Sequence, residues 1–189
     1  MMDHRLDWLL RDGFEAAPQR ISSALDPTEK DEWPFHWGVL ARDEQLPPPG
    51  DWRIWLILAG RGFGKTRAGA EWVREVAERC PEARIALVAA TLSEARAVMV
   101  EGESGIIACC SPGHRPVFEA SLKRLRFPNG AQALLYSAQE PESLRGPQHS
   151  HACRASPEGI LRQSGARHYR CPYSAHHHGF ARLASFEPP

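Results

Sequence analysis

The sequence lacks several features that define common classes of protein. Its five cysteines form no C-x-x-C pair, which argues against a zinc finger or a thioredoxin-type redox motif. No apolar run is longer than six residues, whereas a membrane-spanning helix needs about 18. The N-terminus has no apolar stretch of the signal-peptide type. We therefore expect a soluble, cytoplasmic protein that does not bind a membrane.

Aspartate is absent after Asp51, and the charges are unevenly distributed along the chain. Residues 1–51 hold 11 acids and 5 bases, a net charge of −6, and the remainder holds 12 acids and 18 bases, a net charge of +6. That excess of base is compatible with a nucleotide or DNA partner without being a strong nucleic-acid signature. With 42% apolar and 24% charged residues in a chain of 189, one globular domain is expected, and collagen-like or wholly disordered chains are excluded.

The middle of the chain alternates between strand and helix patterns. The continuous apolar run 54–59 predicts a strand buried on both faces, and the spacing of apolar residues predicts a helix over 65–80. A second buried strand is predicted over 85–90. A helix over 91–100 should follow, opened by a capping box in which Glu94 stands three residues after Thr91. This order is typical of an α/β fold with a mainly parallel sheet and flanking helices.

A hairpin is predicted further along the chain. Two runs of strand character, 122–127 and 131–136, flank the sequence Pro-Asn-Gly at 128–130, which favours a tight turn.

The strongest motif is a glycine-rich segment between the first predicted strand and helix. Residues 59–66 read Ala-Gly-Arg-Gly-Phe-Gly-Lys-Thr and match G-x-x-x-x-G-K-[ST] except at the first position. Glycines let backbone N–H groups converge on phosphate oxygens at a helix N-terminus. Lys65 would reach the β- and γ-phosphates, and the Thr66 hydroxyl would bind Mg²⁺. The alternative is a glycine-rich turn that binds nothing.

The motif predicts a nucleotide site for ATP. Its candidate residues share this segment or the start of the helix: Gly60, Gly62, Phe63, Gly64, Lys65, Thr66 and Arg67. Arg61 could stabilise the γ-phosphate as an arginine finger in cis, or it could be a solvated loop arginine, and both interpretations stay open.

Three segments, 45–52, 52–72 and 142–149, together resemble the large terminase subunit. The first segment reads Gln-Leu-Pro-Pro-Pro-Gly-Asp-Trp, and the third reads Glu-Ser-Leu-Arg-Gly-Pro-Gln-His. The second comprises the first predicted strand, the glycine-rich loop and the start of the predicted helix. That protein is the DNA-packaging motor of tailed bacteriophages and of phage-like gene transfer particles. The likeness runs from about residue 33 to residue 151.

The resemblance implies an ATPase that drives double-stranded DNA into a procapsid, with ATP and Mg²⁺ bound and a nuclease domain following. It also implies a portal and a small terminase subunit as partners, and a ring-shaped homo-oligomer. By motif match Arg61 is the family's loop arginine, and Arg145 could sense or complete a neighbouring subunit's site. Gln45 could read adenine with Trp37 stacked on the base, or the two could be an ordinary loop residue and a core aromatic.

The resemblance breaks after the Leu-Arg-Gly segment. The family should continue with an apolar strand ending in Asp-Glu, which orders Mg²⁺ and activates water. Here only Glu158 and Glu187 follow Glu142, so those carboxylates and the nuclease domain are missing. We interpret residues 1–50 as a lead-in, 51–151 as a partial P-loop ATPase core and 152–189 as an atypical tail. A shifted reading frame or a divergent C-terminus would explain the tail.

The sequence therefore predicts the ATP-binding part of a terminase large subunit, truncated and deficient in hydrolysis. Two alternatives stay open: an unrelated P-loop ATPase or kinase, and a non-catalytic nucleotide-binding remnant.

Overall fold

The computed structural model describes residues 33–50 and 52–155 of the chain. The predicted lead-in before residue 33 and the predicted tail after residue 155 lie outside this range. The described residues divide between Leu40 and Ala41 into two units. In the first, a 3₁₀ turn, Trp33–Phe35, precedes the short helix α1, Trp37–Leu40.

The described part of the second unit combines three helices with five strands. The helices are α2 (Lys65–Arg79), α3 (Leu92–Glu94), which continues as a π-helical turn over Ala95–Val100, and α4 (Ile106–Cys109). The strands are β1 (Arg84–Ala89), β2 (Val117–Glu119), β3 (Arg124–Arg126), β4 (Gln132–Ser137) and β5 (His151–Arg154). Short 3₁₀ turns lie at Asp43–Gln45, Pro112–His114, Ala120–Leu122 and Pro141–Leu144. Among the described residues, no helix is long and apolar enough to cross a membrane.

The five strands form one mixed sheet in the order β2-β3-β4-β1-β5. Strand β1 runs parallel to β4 and to β5, while β2 with β3 and β3 with β4 pair antiparallel. The prediction of a mainly parallel sheet is therefore wrong. Tight turns join β2 to β3 and β3 to β4 and make both pairs antiparallel, whereas β4 and β5 lie far from β1 in the sequence and pair parallel with it.

Helix α2 confirms the helix predicted over 65–80. It starts after Gly64, whose φ of 87° ends the preceding loop, and it stops at Arg79 because Cys80 is extended and Pro81 follows. The middle of the helix, residues 68–73, is buried on all sides, and the face that carries Val73 and Ala77 is fully inaccessible. Burying a side chain of valine size contributes about 1.5–3 kcal/mol, so this face anchors the helix.

The second predicted strand and the hairpin are also confirmed. Strand β1 carries a fully buried Leu87, which lies in register with Leu135 of β4. The turn between β3 and β4 uses Gly130 at φ 102°, a conformation that favours glycine. The side-chain amide of Asn129 donates to the Ala77 carbonyl at 2.7 Å, which fastens the hairpin to α2. At the start of α3 the Thr91 hydroxyl accepts the Glu94 N–H at 3.1 Å, the cap that the sequence predicts.

The prediction of a strand buried on both faces at residues 54–59 is wrong. The segment forms no strand, and its side chains alternate, with Trp55 and Ile57 each 8% exposed but Leu56 44% and Leu58 71% exposed. Trp52 links it to α2, since its ring lies 6.1 Å from both Trp55 and Trp72. The segment thus packs against the protein on one side only. A doubly buried strand also needs a hydrogen-bonded neighbour and a second layer, and within 52–155 it has neither.

Helix α2 packs against strand β5. Gly69 has no side chain at the point of closest approach, and a Cβ there would lie 3.2 Å from the Cys153 sulfur. One turn later the Trp72 ring meets His151 edge-on at 5.9 Å. Strand β5 therefore ends beside the first turns of α2, which follow the glycine-rich loop directly.

Candidate functional site

The glycine-rich loop, residues 60–64, leads directly into the first turn of α2. Gly62 and Gly64 have φ angles of 78° and 87°, which other residues adopt only with strain. The first hydrogen bond of the helix runs from the Ala68 N–H to the Gly64 carbonyl at 2.9 Å. The N–H groups that precede this bond are outside the helical ladder, and the partial positive charge of the helix end lies with them.

The ammonium group of Lys65 folds back over the loop. It donates to the carbonyl oxygens of Ala59 at 2.7 Å and Gly60 at 2.9 Å, the first residues of the turn. These two hydrogen bonds connect the start of the loop to its end. A phosphate that enters can exchange these two neutral acceptors for charged oxygens, which bind an ammonium about twice as strongly.

Two side chains from outside the loop hold its far end. The Gln45 amide donates to the Phe63 carbonyl at 2.8 Å, and the Arg42 guanidinium donates to the same oxygen at 2.6 Å. The guanidinium also lies 5.0 Å from the centre of the Phe63 ring. The sequence singled out Gln45 as a reader of adenine, which stays a prediction. It missed Arg42, whose role depends on a contact between residues 21 positions apart.

A cavity of about 230 Å³ opens beside the loop, with Lys65 and Thr66 in its wall. The wall also includes Glu94 from α3 and Arg154 from the end of β5. The rest of the lining is small or apolar: Ile57, Gly69, Ala70, Val73, Val98, Met99, Ile106, Cys153 and Ala155. The wall therefore contains two basic residues, one acidic residue and one hydroxyl residue around a mostly apolar space, a composition typical of small-molecule sites.

The strand that enters this cavity carries no carboxylate at its end. Strand β5 follows the Leu-Arg-Gly segment and lies in register with β1, so that Arg154 is beside Val88. The family pattern stated above expects Asp-Glu at the end of such a strand, and here the chain continues with Ala155. Glu94 is the one acid in the cavity wall. Sequence reasoning used it only as a helix-capping residue, because its approach to the loop depends on the fold.

Arg67, a predicted binding residue, directs its side chain along the helix. Its guanidinium pairs with the Glu71 carboxylate at 2.6 Å, and Arg74 pairs with the same carboxylate at 2.8 Å. Glu71 is almost completely inaccessible, at 1% exposure. This buried ion cluster fixes the first turns of α2 and, through them, the position of Thr66.

The two candidate arginine fingers lie away from the cavity wall. Arg61 is exposed within the loop. Arg145, directly after the 3₁₀ turn Pro141–Leu144, is 79% exposed and pairs with Glu142 at 2.8 Å. Trp37 belongs to the first unit, in α1. The structure therefore brings together Lys65, Thr66 and, through Phe63, Gln45, but not the arginines.

Comparison with protein families places the chain in a defined class. Residues 56–153 match the family described as terminase large subunit, T4likevirus-type, N-terminal. The match covers just over half of the 189 residues and includes the loop, α2 and all of the sheet except Arg154, the last residue of β5. The chain therefore belongs to the terminase large subunit family and corresponds to its N-terminal part, and this membership supports a role in DNA packaging. Searches of curated proteins and of solved structures gave no match.

Proposed function

We propose that the chain is the nucleotide-binding part of a DNA-packaging terminase, with a P-loop site for ATP formed by the glycine-rich loop and the start of α2. The observation that carries the proposal is the junction at Gly64, where a loop with two left-handed glycines turns directly into a 15-residue helix. Such a helix end binds anions. Gly60, Gly62, Phe63, Gly64 and Thr66 would surround the phosphates.

Lys65 would supply the principal charge at the site. Its ammonium already lies over the loop, held by two carbonyls, so little reorganisation separates it from a bound phosphate. Gln45, the buried residue next to the loop, would belong to the nucleotide site through its contact with Phe63. Arg61 and Arg145, exposed in this chain, would act only after movement or from a neighbouring subunit of a ring-shaped oligomer. Double-stranded DNA, the portal and the small subunit would be the partners.

The donors in the cavity wall fit a magnesium ion that accompanies the phosphates. Mg²⁺ is commonly held by one or two protein oxygens, with phosphate and water completing its octahedron. The Thr66 hydroxyl and the Glu94 carboxylate supply such oxygens, and no cluster of three metal-binding side chains occurs among residues 33–50 and 52–155. Bound there, the ion would neutralise charge on the β- and γ-phosphates.

Calorimetry with a matched pair of variants tests this assignment. Lys65→Gln should lose most of the affinity for ATP with Mg²⁺, while Lys123→Gln, the same change at an exposed lysine, should leave it intact. Equal affinities for both variants would refute the site, provided that circular dichroism shows the same fold in each.

A second candidate function is nucleotide binding without turnover. The observation that favours it is the end of β5, where Arg154 and Ala155 stand in place of the expected carboxylates. In this case the chain would bind ATP but be deficient in hydrolysis. A shifted reading frame from about residue 152 would explain the departure, and a divergent C-terminus is the alternative. Steady-state release of phosphate measures turnover directly and separates the two candidates.

A further inference from the structure

We propose that Arg42 and Gln45 form a latch that sets the conformation of the phosphate loop, so that both are positioning residues for phosphate binding. The inference rests on the proposed function of the loop as a nucleotide site. It gives Gln45 a task that does not involve the base. The latch consists of these two side chains and their hydrogen bonds to the Phe63 carbonyl.

The latch concentrates two donors on one acceptor. The Phe63 carbonyl oxygen accepts from Gln45 Nε2 at 2.8 Å and from Arg42 Nη2 at 2.6 Å, which uses both of its lone pairs. A peptide carbonyl held in this way cannot rotate without the loss of both bonds. The oxygen is therefore a fixed point in a loop that is otherwise rich in glycine.

Gln45 is itself held in place. Its Oε1 accepts the Arg42 backbone N–H at 3.0 Å, and its backbone N–H donates to the Arg42 carbonyl at 2.9 Å. The residue is 6% exposed, one of few buried polar residues in the described chain. A buried amide with fixed partners transmits its position to the loop, because it has no alternative rotamer with the same bonds.

The loop is fitted closely to the latch at Gly64. A Cβ added to this glycine would lie 2.5 Å from Gln45 Nε2, closer than real contacts allow. The requirement for glycine at this position thus has two causes, the left-handed φ of 87° and the approach of the glutamine.

The geometry of the peptide unit connects the latch to phosphate binding. In a trans peptide the C=O and the following N–H point in opposite directions. With the Phe63 carbonyl drawn onto the latch, the Gly64 N–H is directed away from it and remains available to an anion. A loop that is already in this conformation binds more tightly, because binding then costs no ordering of the backbone.

The test compares ligands with and without a base. The affinities of the full chain for ADP, GDP and inorganic pyrophosphate are measured by calorimetry for wild type and for Gln45→Met, which keeps the length and the neutral charge but removes the donor. Gln139→Met, at an exposed glutamine, is the control for the substitution itself. The latch predicts that Gln45→Met loses about tenfold in affinity for all three ligands alike, the scale of one lost hydrogen bond to a buried group.

Two results would overturn the latch. One is a loss for ADP with an unchanged affinity for pyrophosphate, which would assign Gln45 to the base. The other is unchanged affinity for all three ligands. A wild-type chain that binds none of the three refutes the proposed function itself, and with it the role of the latch.

A second variant covers a failure of Gln45→Met to fold. Gln45→Asn keeps the amide but shortens the arm by one methylene, which takes the donor out of reach of Phe63. Without ligand, the backbone order parameters of residues 60–64, measured by NMR relaxation, should be lower in this variant than in wild type. Order parameters that are unchanged there would overturn the latch independently of any nucleotide.

Discussion

The buried carboxylate of Glu71 should be worth far more to stability than the exposed carboxylate of Glu78, although both bind Arg74 on the same helix. The Glu71 side chain is 0% exposed and contacts two arginines at 2.6 and 2.8 Å, whereas that of Glu78 is 37% exposed. Removal of one member of a fully buried pair costs about 3–5 kcal/mol, because the partner charge stays desolvated. Arg67 and Arg74 keep 25% and 17% of their surface in water, which reduces the estimate to about 2–3 kcal/mol.

The comparison requires two variants with the same chemical change. Glu71→Gln should lower the free energy of unfolding by that amount, and Glu78→Gln by less than about 1 kcal/mol, as for other exposed pairs. For a chain of this size the first change corresponds to a fall in Tm of about 4–12 °C. Urea unfolding followed by circular dichroism gives both values. Equal and small losses would refute the reasoning that burial of Glu71 governs the energetics of α2.

Three further outcomes follow from the structure. Burial raises the pKa of the Cys153 thiol from 9.0 to about 12, so the thiol stays protonated near neutral pH. Alkylation mapped by mass spectrometry should label this thiol only after unfolding. Its contribution to stability should be lost as the pH rises from 9 toward 12, because only the unfolded chain releases the proton in that range. Leu58→Gln should reduce aggregation measured by light scattering without a change in Tm, because this side chain is 71% exposed; a fall in Tm would show that it is packed. ATP turnover should be near background, because the end of β5 lacks the carboxylate that would activate water, and a positioned base commonly contributes about 10² to 10⁴ in rate. DNA-stimulated phosphate release that Lys65→Gln abolishes would contradict this.

The elements that the sequence predicts correctly are those whose signals are local. Helix α2 follows from apolar spacing between a glycine and a proline. Strand β1 follows from a run of β-formers, and the hairpin from Pro-Asn-Gly. In each case the residues that decide the structure lie within a few positions of one another.

The errors have a different physical origin. Residues 54–59 carry a strand pattern, but a strand also needs a hydrogen-bonded partner, which comes from a distant part of the chain. Strand β5 shows the reverse error, a strand without a local signal. Its sequence, His-Ala-Cys-Arg, has no strand pattern, and its conformation depends on its pairing with β1. The mixed sheet likewise depends on which strands meet.

The candidate site divides in the same way. The loop and Lys65 could be found from the motif, because spacing along the chain determines their geometry. Arg42 and Glu94 could not, because the first reaches the loop across 21 positions and the second reaches the cavity from another helix.

Hydrogen exchange with and without ATP tests the central claim most directly, because it locates a bound nucleotide on the chain. We expect ATP with Mg²⁺ to slow exchange over residues 60–68, which comprise the loop and the first turn of α2. Lys65→Gln should remove this protection. Protection confined to other segments, or the same protection in the variant, would contradict the account.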